Sequence, residues 1–200
     1  MNLRRIIITA LCAALIVVGA YTAIPIGPVP VTLQTAFVLL AGILAGKTIA
    51  LASIATYLVL GVVGLPVFSG GLGGFAHLAG PTGGFLISWL VAGPLAGIFA
   101  DRGFRKDPAG EKTTTGQLAW IIAGTITGTV ALYLLGLPYL KMILRISWEE
   151  AVAIGLLPFI AGDLIKIVSV VILGNIFAPQ VRQFLAAQPE GDADESGPGA

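Results

Sequence analysis

The sequence predicts an all-α membrane protein, a compact bundle of six transmembrane helices with a glycine-rich extracytoplasmic loop capping a pocket. Three observations carry that expectation. Of the 200 residues, 56% are hydrophobic and only 10% are charged, with a mean hydropathy of +0.97; soluble domains carry about 25% charged residues. Six apolar stretches recur along the chain at helix length. Between the third and the fourth lies Gly64–Gly84, GLPVFSGGLGGFAHLAGPTGG, with eight glycines and two prolines in 21 residues. Backbone amides exposed to hydrocarbon cost several kcal/mol each, so such a segment belongs in water or against protein, as the wall or lid of a cavity. Its Phe68, Phe75 and Leu78 supply apolar surface for folding back onto the bundle.

The first stretch, Leu3–Ala23, starts on Arg4 and Arg5. Its apolar run from Ile6 to Tyr21 is long for a signal-peptide core, and no A-x-A site ends it, so it reads as a retained helix. It carries small residues at Ala10, Ala13, Ala14 and Gly19. Ala10 and Ala14 form a small-x-x-x-small pair, which admits a partner helix at close range or packs inside its own bundle. The linker Ile24–Pro30 has three prolines and is expected to be extended. Stretches two and three, Thr32–Ala45 and Thr48–Val63, fall short of the roughly 20 residues of a straight span. Short spans bounded by Gly or Pro suggest a helix pair that borders a cavity.

Gly84–Ala100 is the fourth span, Gln117–Leu135 the fifth and Glu150–Phe177 the sixth, with Gly136–Glu149 as an extramembrane connection. The tail 188–200 holds Glu190, Asp192, Asp194 and Glu195 among Gly, Pro and Ala. It is expected to be disordered, leaving 1–187 as a single membrane domain. Arg4, Arg5, Lys47, Arg102, Arg105, Lys106, Lys112 and Arg182 fall on one side of this topology, and only Lys141 and Arg145 on the other. The positive-inside rule then places both termini in the cytoplasm and Gly64–Gly84 outside it, in a multi-pass protein of the cytoplasmic membrane.

Several function classes drop out. A net charge of +1 makes no case for nucleic-acid binding. Cys12 is the only cysteine and His77 the only histidine, which leaves no intrachain disulfide and little material for a zinc site or a Ser-His-Asp triad. Gly71, Gly73 and Ala76 make an imperfect phosphate-loop pattern, but no strand precedes them and no Gly-Lys-Ser/Thr is present, so nucleotide binding is rejected.

Chemistry concentrates in the sixth span. Asp163 and Lys166 lie in an otherwise apolar run, and residues three apart share one helix face. Each charge costs about 2.5–3.5 kcal/mol on insertion scales, so both must face the bundle interior or a cavity and pair with each other. The bland alternative is an ion pair that only fixes packing. The functional one is a site for a small ligand bearing both N–H and C=O groups. Gln34, beside the proline linker, offers an amide donor and acceptor. Tyr57, Tyr139 and Trp89 are candidates to line a pocket, or to act as interface anchors.

The order of segments strongly resembles the BioY family, the biotin-specific substrate-binding (S) components of energy-coupling factor (ECF) transporters. The resemblance rests on Pro28-Val-Pro-Val-Thr-Leu-Gln34, Gly61-Val-Val-Gly-Leu-Pro-Val-Phe68, Gly80-Pro-Thr-Gly-Gly-Phe85 and Ala161-Gly-Asp-Leu-Ile-Lys166, and it spans about Arg5 to Val181. It implies a six-helix S component that binds biotin near its extracytoplasmic face, with Asp163 and Lys166 as the polar residues of the pocket. It implies that the loop from Leu65 to Gly83 closes over the ligand, so that Phe68, Phe75, Thr82 and Gly83 join Gln34 and Tyr57 as ligand-binding candidates. Gly83 and Gly84 are expected to hold backbone conformations open mainly to glycine. Ala10, Ala13 and Ala14 resemble the face presented to a transmembrane coupling (T) subunit. ATP would be hydrolysed by two separate ATPase subunits, and the chain, with no Walker motif, is expected to be neither an enzyme nor a cofactor binder. The loop has no Arg or Lys to grip the biotin carboxylate; backbone N–H groups of its glycine-rich segment are the donors at hand. Rival readings are a stand-alone transporter or channel for a small polar solute, an intramembrane enzyme lacking a second carboxylate, and a structural scaffold.

Overall fold

The first helix, α1 (Leu3–Tyr21), shows how these residues settle. Thr9, Cys12, Ala13, Ile16, Gly19 and Ala20 turn inward at helical spacing, while Leu3, Ile7, Ala10, Leu11, Ala14 and Val18 stay exposed. In water such an apolar outer face would be costly; against lipid it is the expected surface. The computed structural model describes residues 3–25, 27–104 and 114–187 of this chain. Arg105, Lys106 and Lys112 of the orientation argument, and the acidic tail 188–200, lie outside the described residues.

The described residues are organised almost wholly as helices. After α1 come α2 (Gln34–Ala45), α3 (Lys47–Val62), a single turn α4 (Phe75–Leu78), α5 (Gly83–Gly103), α6 (Thr114–Leu144), α7 (Trp148–Gly155) and α8 (Ile160–Ala186). Four segments are long and apolar enough to cross a membrane, namely α1, α5, α6 and the α7–α8 unit. The remaining two, α2 with 12 residues and α3 with 16, are about 18 and 24 Å long at about 1.5 Å per residue. They meet at Gly46 and together supply the short pair expected from the sequence. The six-helix count therefore holds in outline, and the chain is a membrane protein.

Helix α5 is the hub. It packs on α2, α3 and α6. Ala92, Gly93, Ala96, Gly97 and Ala100 are all buried on it, and Gly42 of α2 comes so close that a Cβ there would lie 2.2 Å from the Gly93 carbonyl oxygen. Small residues four apart allow that approach in lipid. The pair Gly93-x-x-x-Gly97 is the readable signal for this contact, and it lies on α5 rather than on α1. Ala13, assigned with Ala10 and Ala14 to a partner face, is in fact buried inside the bundle. The exposed small residues of α1 are therefore Ala10 and Ala14 alone.

Two expected boundaries move. The connection assigned to Gly136–Glu149 is mostly helix, because α6 continues through Pro138 to Leu144. Proline removes one backbone donor, but here Leu140 is fully buried and Gly136 lies against the Phe85 ring, and that packing outweighs the lost bond. The single span Glu150–Phe177 is broken. Ser147 and Glu150 cap α7 reciprocally, with Glu150 N donating to Ser147 Oγ at 3.1 Å and Ser147 N donating to Glu150 Oε2 at 2.9 Å. A 3-10 turn, Leu157–Phe159, then precedes α8. Ser147-Trp-Glu-Glu150 followed by Pro158 is the sequence signature of that stop and restart. The break puts Asp163 in the first turn of α8 rather than at mid-span.

The glycine-rich segment folds back, as expected. Phe68 is fully buried, and its ring fills the space where a Cβ on Gly61 would lie 2.1 Å from it. Gly74 N donates to the Gly61 carbonyl oxygen at 2.7 Å, which ties the loop to the end of α3. The proline linker is closed by paired backbone bonds between Ile24 and Val31, of 2.8 and 3.0 Å. Tyr21 Oη donates to the Pro66 carbonyl oxygen at 2.7 Å and links the linker's root to the loop.

Candidate functional site

The start of α2, the start of α5, the end of α6 and the start of α8 converge under the glycine-rich loop. They enclose a chamber of about 60 Å³. Its polar residues are Thr32, Gln34, Thr35, Ser69, His77, Thr82, Tyr133, Asp163 and Lys166, and aromatic walls come from Phe85, Trp89 and Phe159. A wider mouth of about 380 Å³ lies outside it, between the proline linker and Gly70 and Leu72. Pro30, Ser69, His77 and Thr82 border both spaces and so form the throat between them. Sites for small molecules usually occupy about 300–1,000 Å³. A bound molecule must therefore use chamber and mouth together, or part the roof.

The floor is a buried ionic cluster. Lys166 Nζ donates to Asp163 Oδ1 at 2.9 Å, and both residues are more than nine-tenths buried. Tyr133 Oη donates to Asp163 Oδ2. A carboxylate has about four acceptor sites and an ammonium three donors. The contacts among the described residues use two of the former and one of the latter. The cluster therefore keeps capacity on both the accepting and the donating side, which an ion pair retained only for packing does not need. Asp163 also sits in the first turn of α8, where the helix dipole favours a negative charge.

Gln34 Nε2 donates to Tyr57 Oη, which fixes the amide and leaves its carbonyl without a partner among the described residues. On the same lining, Trp89 is 4% exposed and its ring lies 5.8 Å from that of Tyr57. The Trp89 Nε1–H has no hydrogen-bond partner among the described residues. A buried donor left unsatisfied costs about 1–3 kcal/mol, and this one belongs to a residue that lines the chamber. At the throat, His77 stacks on Phe68 with ring centroids 5.0 Å apart, and its Nε2 is 3.3 Å from Thr82 Oγ1. Burial pushes the His77 imidazole below its ordinary value near 6.5, disfavouring the charged form.

Of the residues singled out from the sequence, Asp163, Lys166, Gln34, Thr82 and Trp89 meet at the chamber. Tyr57 and Phe68 stand one layer behind it, the first holding Gln34 and the second backing His77. Gly83 does not line it; it is buried in the first turn of α5 against the Leu78 carbonyl. Phe75 is 68% exposed and points away from it, because α4 turns only His77 and Leu78 toward the protein. Tyr133, His77 and Ser69 were not among the sequence candidates, and of the two roles open to Trp89 the structure places it on the chamber wall. No local spacing links Tyr133 to Asp163; only the pairing of α6 with α8 does.

A family model described as "BioY family" matches residues 1–183. The chain is 37% identical over 166 residues to a Thermotoga maritima protein named biotin transporter BioY, covering 83% of this chain and 90% of that one. It is 39% identical over 176 residues to biotin transporter BioY2 of Lactococcus lactis subsp. cremoris, covering 86% and 89%. Among solved structures, the S-component for biotin from an ECF-type ABC transporter superposes with a TM-score of 0.74 at 29% identity, covering 92% of this chain and 95% of that one.

Proposed function

The chain belongs to the BioY family, and from that premise we propose that it binds biotin and serves as the substrate-specific component of an ECF-type ABC transporter in biotin uptake. It is not an enzyme: it binds and delivers, and ATP is hydrolysed elsewhere. The observation that carries the reading is the Asp163–Lys166–Tyr133 cluster with spare acceptors and donors at the floor of an otherwise apolar chamber. Biotin's ureido ring presents N–H donors and a carbonyl acceptor. Asp163 accepts from the former, and Lys166 and the unsatisfied Trp89 N–H donate to the polar atoms of the head group. Gln34 adds a fixed amide, and the apolar walls take the sulfur ring. The valerate chain runs out through the throat, where Ser69, Thr82 and backbone N–H groups of the loop are available to its carboxylate.

Residues 1–187 act as one membrane domain, with Phe68 and Tyr57 as supports of the site. Both described ends of the chain lie at one end of the bundle, where Arg4 Nη1 donates to the Phe184 carbonyl oxygen at 3.3 Å. Arg4, Arg5, Lys47, Arg102 and Arg182 gather there, whereas Lys141 and Arg145 stand at the chamber end. That asymmetry supports cytoplasmic termini and a chamber facing outward. The T subunit and two ATPase subunits complete the transporter. Calorimetric titration of the detergent-purified chain with biotin, without nucleotide, tests the reading. Saturable heat is expected, and none up to millimolar biotin would sink it.

Two further outcomes follow. Trp89→Phe keeps the wall and deletes the N–H. It should weaken biotin binding about fivefold, the worth of about 1 kcal/mol of hydrogen bond. The melting temperature of the ligand-free protein should not fall, since the indole N–H has no protein bond to lose. Unchanged affinity would remove Trp89 from the site. On the exposed face of α1, Ala10→Trp or Ala14→Trp should block close helix approach. Transport by the assembled complex should drop while the isolated chain still binds biotin. Equal loss of both would mean that these alanines matter only to the bundle itself.

A further inference from the structure

A second cleft, of about 320 Å³, opens at the end of the bundle opposite the chamber. Its walls come from the start of α1, the Gly46 corner between α2 and α3, the last turn of α5 and the end of α8. Among the described residues, three cations line it, Arg5, Lys47 and Arg182, against a single carboxylate, Asp101. Arg182 already holds that carboxylate, with Nη1 donating to Asp101 Oδ1 at 2.8 Å and Nη2 to the Ile43 carbonyl oxygen at 2.9 Å. Arg5 and Lys47 form no ion pair among the described residues. Among the described residues, the cleft thus carries two positive charges with no carboxylate in ion-pair contact, beside a guanidinium held rigid by its own bonds.

We propose that this cleft binds a phosphate-bearing anion, and that the anion is the headgroup of an acidic membrane lipid. Guanidinium and ammonium groups together match the charge and acceptor geometry of phosphate, and Thr48, also on the lining, adds a hydroxyl. Basic pockets between membrane helices are suited to acidic headgroups. A lipid is favoured over a soluble phosphate by what adjoins the cleft. Leu3, Ile6 and Ile7 of α1 and Leu51 of α3 are exposed apolar side chains on the helices that wall it, of the kind that acyl chains cover. The inference is independent of what the chamber holds.

The test uses the full chain in nanodiscs of phosphatidylcholine alone or doped with phosphatidylglycerol, read by thermal unfolding and by lipid retention in native mass spectrometry. Phosphatidylglycerol should be retained and should raise the melting temperature. Arg5→Gln and Lys47→Gln should each lower retention about fivefold, from about one charge-lipid interaction apiece, with unfolding in pure phosphatidylcholine unchanged. Arg102→Gln is the control, because Arg102 stacks on Phe99 and Trp120 at the same end and lies outside the cleft. A loss with Arg102→Gln equal to that with Lys47→Gln would mean a diffuse surface potential and overturn the site. Inorganic phosphate, compared with chloride at equal ionic strength in neutral detergent, separates the sources. Protection by phosphate with none from phosphatidylglycerol would overturn the lipid assignment. No response to either, or loss of partner subunits from Lys47→Gln with lipid retention intact, would overturn the anion site itself.

Discussion

Asp163→Asn is expected to weaken biotin binding by at least about tenfold, the equivalent of about 1.4 kcal/mol, while the protein still inserts and runs as a single species. Asn keeps the shape but removes the charge and one of the two accepting oxygens. Asp163 Oδ1 accepts from Lys166 and Oδ2 from Tyr133, so the change also leaves Lys166 without its carboxylate. Truncating one partner of a buried, hydrogen-bonded charge pair costs about 2–5 kcal/mol, much of it from the charge left behind. Lys166→Met should act likewise, with some loss of expression from the stranded carboxylate. The decisive comparison is the double variant Asp163→Asn with Lys166→Met, which leaves no unpaired charge. If calorimetry shows it folded and binding biotin as tightly as the parent, the pair serves packing alone and the site assignment fails.

Gly84→Ala and Gly83→Ala should destabilise the closed loop and weaken biotin binding together. The reason differs from the one the sequence suggests. Neither glycine is among the residues with positive φ; both lie in the first turn of α5. What forbids a side chain is contact. A Cβ on Gly83 would lie 1.7 Å from the Leu78 carbonyl oxygen, and one on Gly84 would lie 2.3 Å from Tyr139 Cβ. Neither neighbour is the loose end of a flexible chain. Backbone must shift, and overpacking of that kind typically costs about 1–3 kcal/mol. Because Leu78 follows His77 directly, the displacement is delivered to the throat. Hydrogen exchange across Gly64–Thr82 should slow when biotin saturates the parent protein and should stay fast in the variants. Parent-like melting and affinity in Gly84→Ala would show the roof to be a passive loop.

Much of this was legible from residues close together in the chain. Apolar composition dictates a membrane bundle, because few charges leave no soluble surface to build. Asp163 and Lys166 mark a candidate site, since two charges three apart in an apolar helix must find each other and a cavity. The glycine-rich stretch announces a folded cap, since its backbone cannot be left in hydrocarbon, and Phe68 is buried accordingly. The short second and third spans are equally a matter of counting.

The tertiary structure alone decided which side chains complete the site. Tyr133 reaches Asp163 across thirty residues, and that contact depends on how far α6 continues past Gly136 and where Pro158 restarts the chain as α8. Phe85 against Gly136 and Leu140 against Gly155 set that register. The two aromatic residues of the loop look alike in sequence, yet Phe68 is buried and Phe75 exposed, because a four-residue helix presents only part of its circumference to the protein. Ala13 turns inward while Ala10 and Ala14 do not, since helical geometry places them about 100° per residue apart and the bundle covers one side of α1. Local spacing settles which residues share a face. Which faces meet is settled by packing between helices distant in sequence, and that is where the chamber's donors and acceptors were brought together.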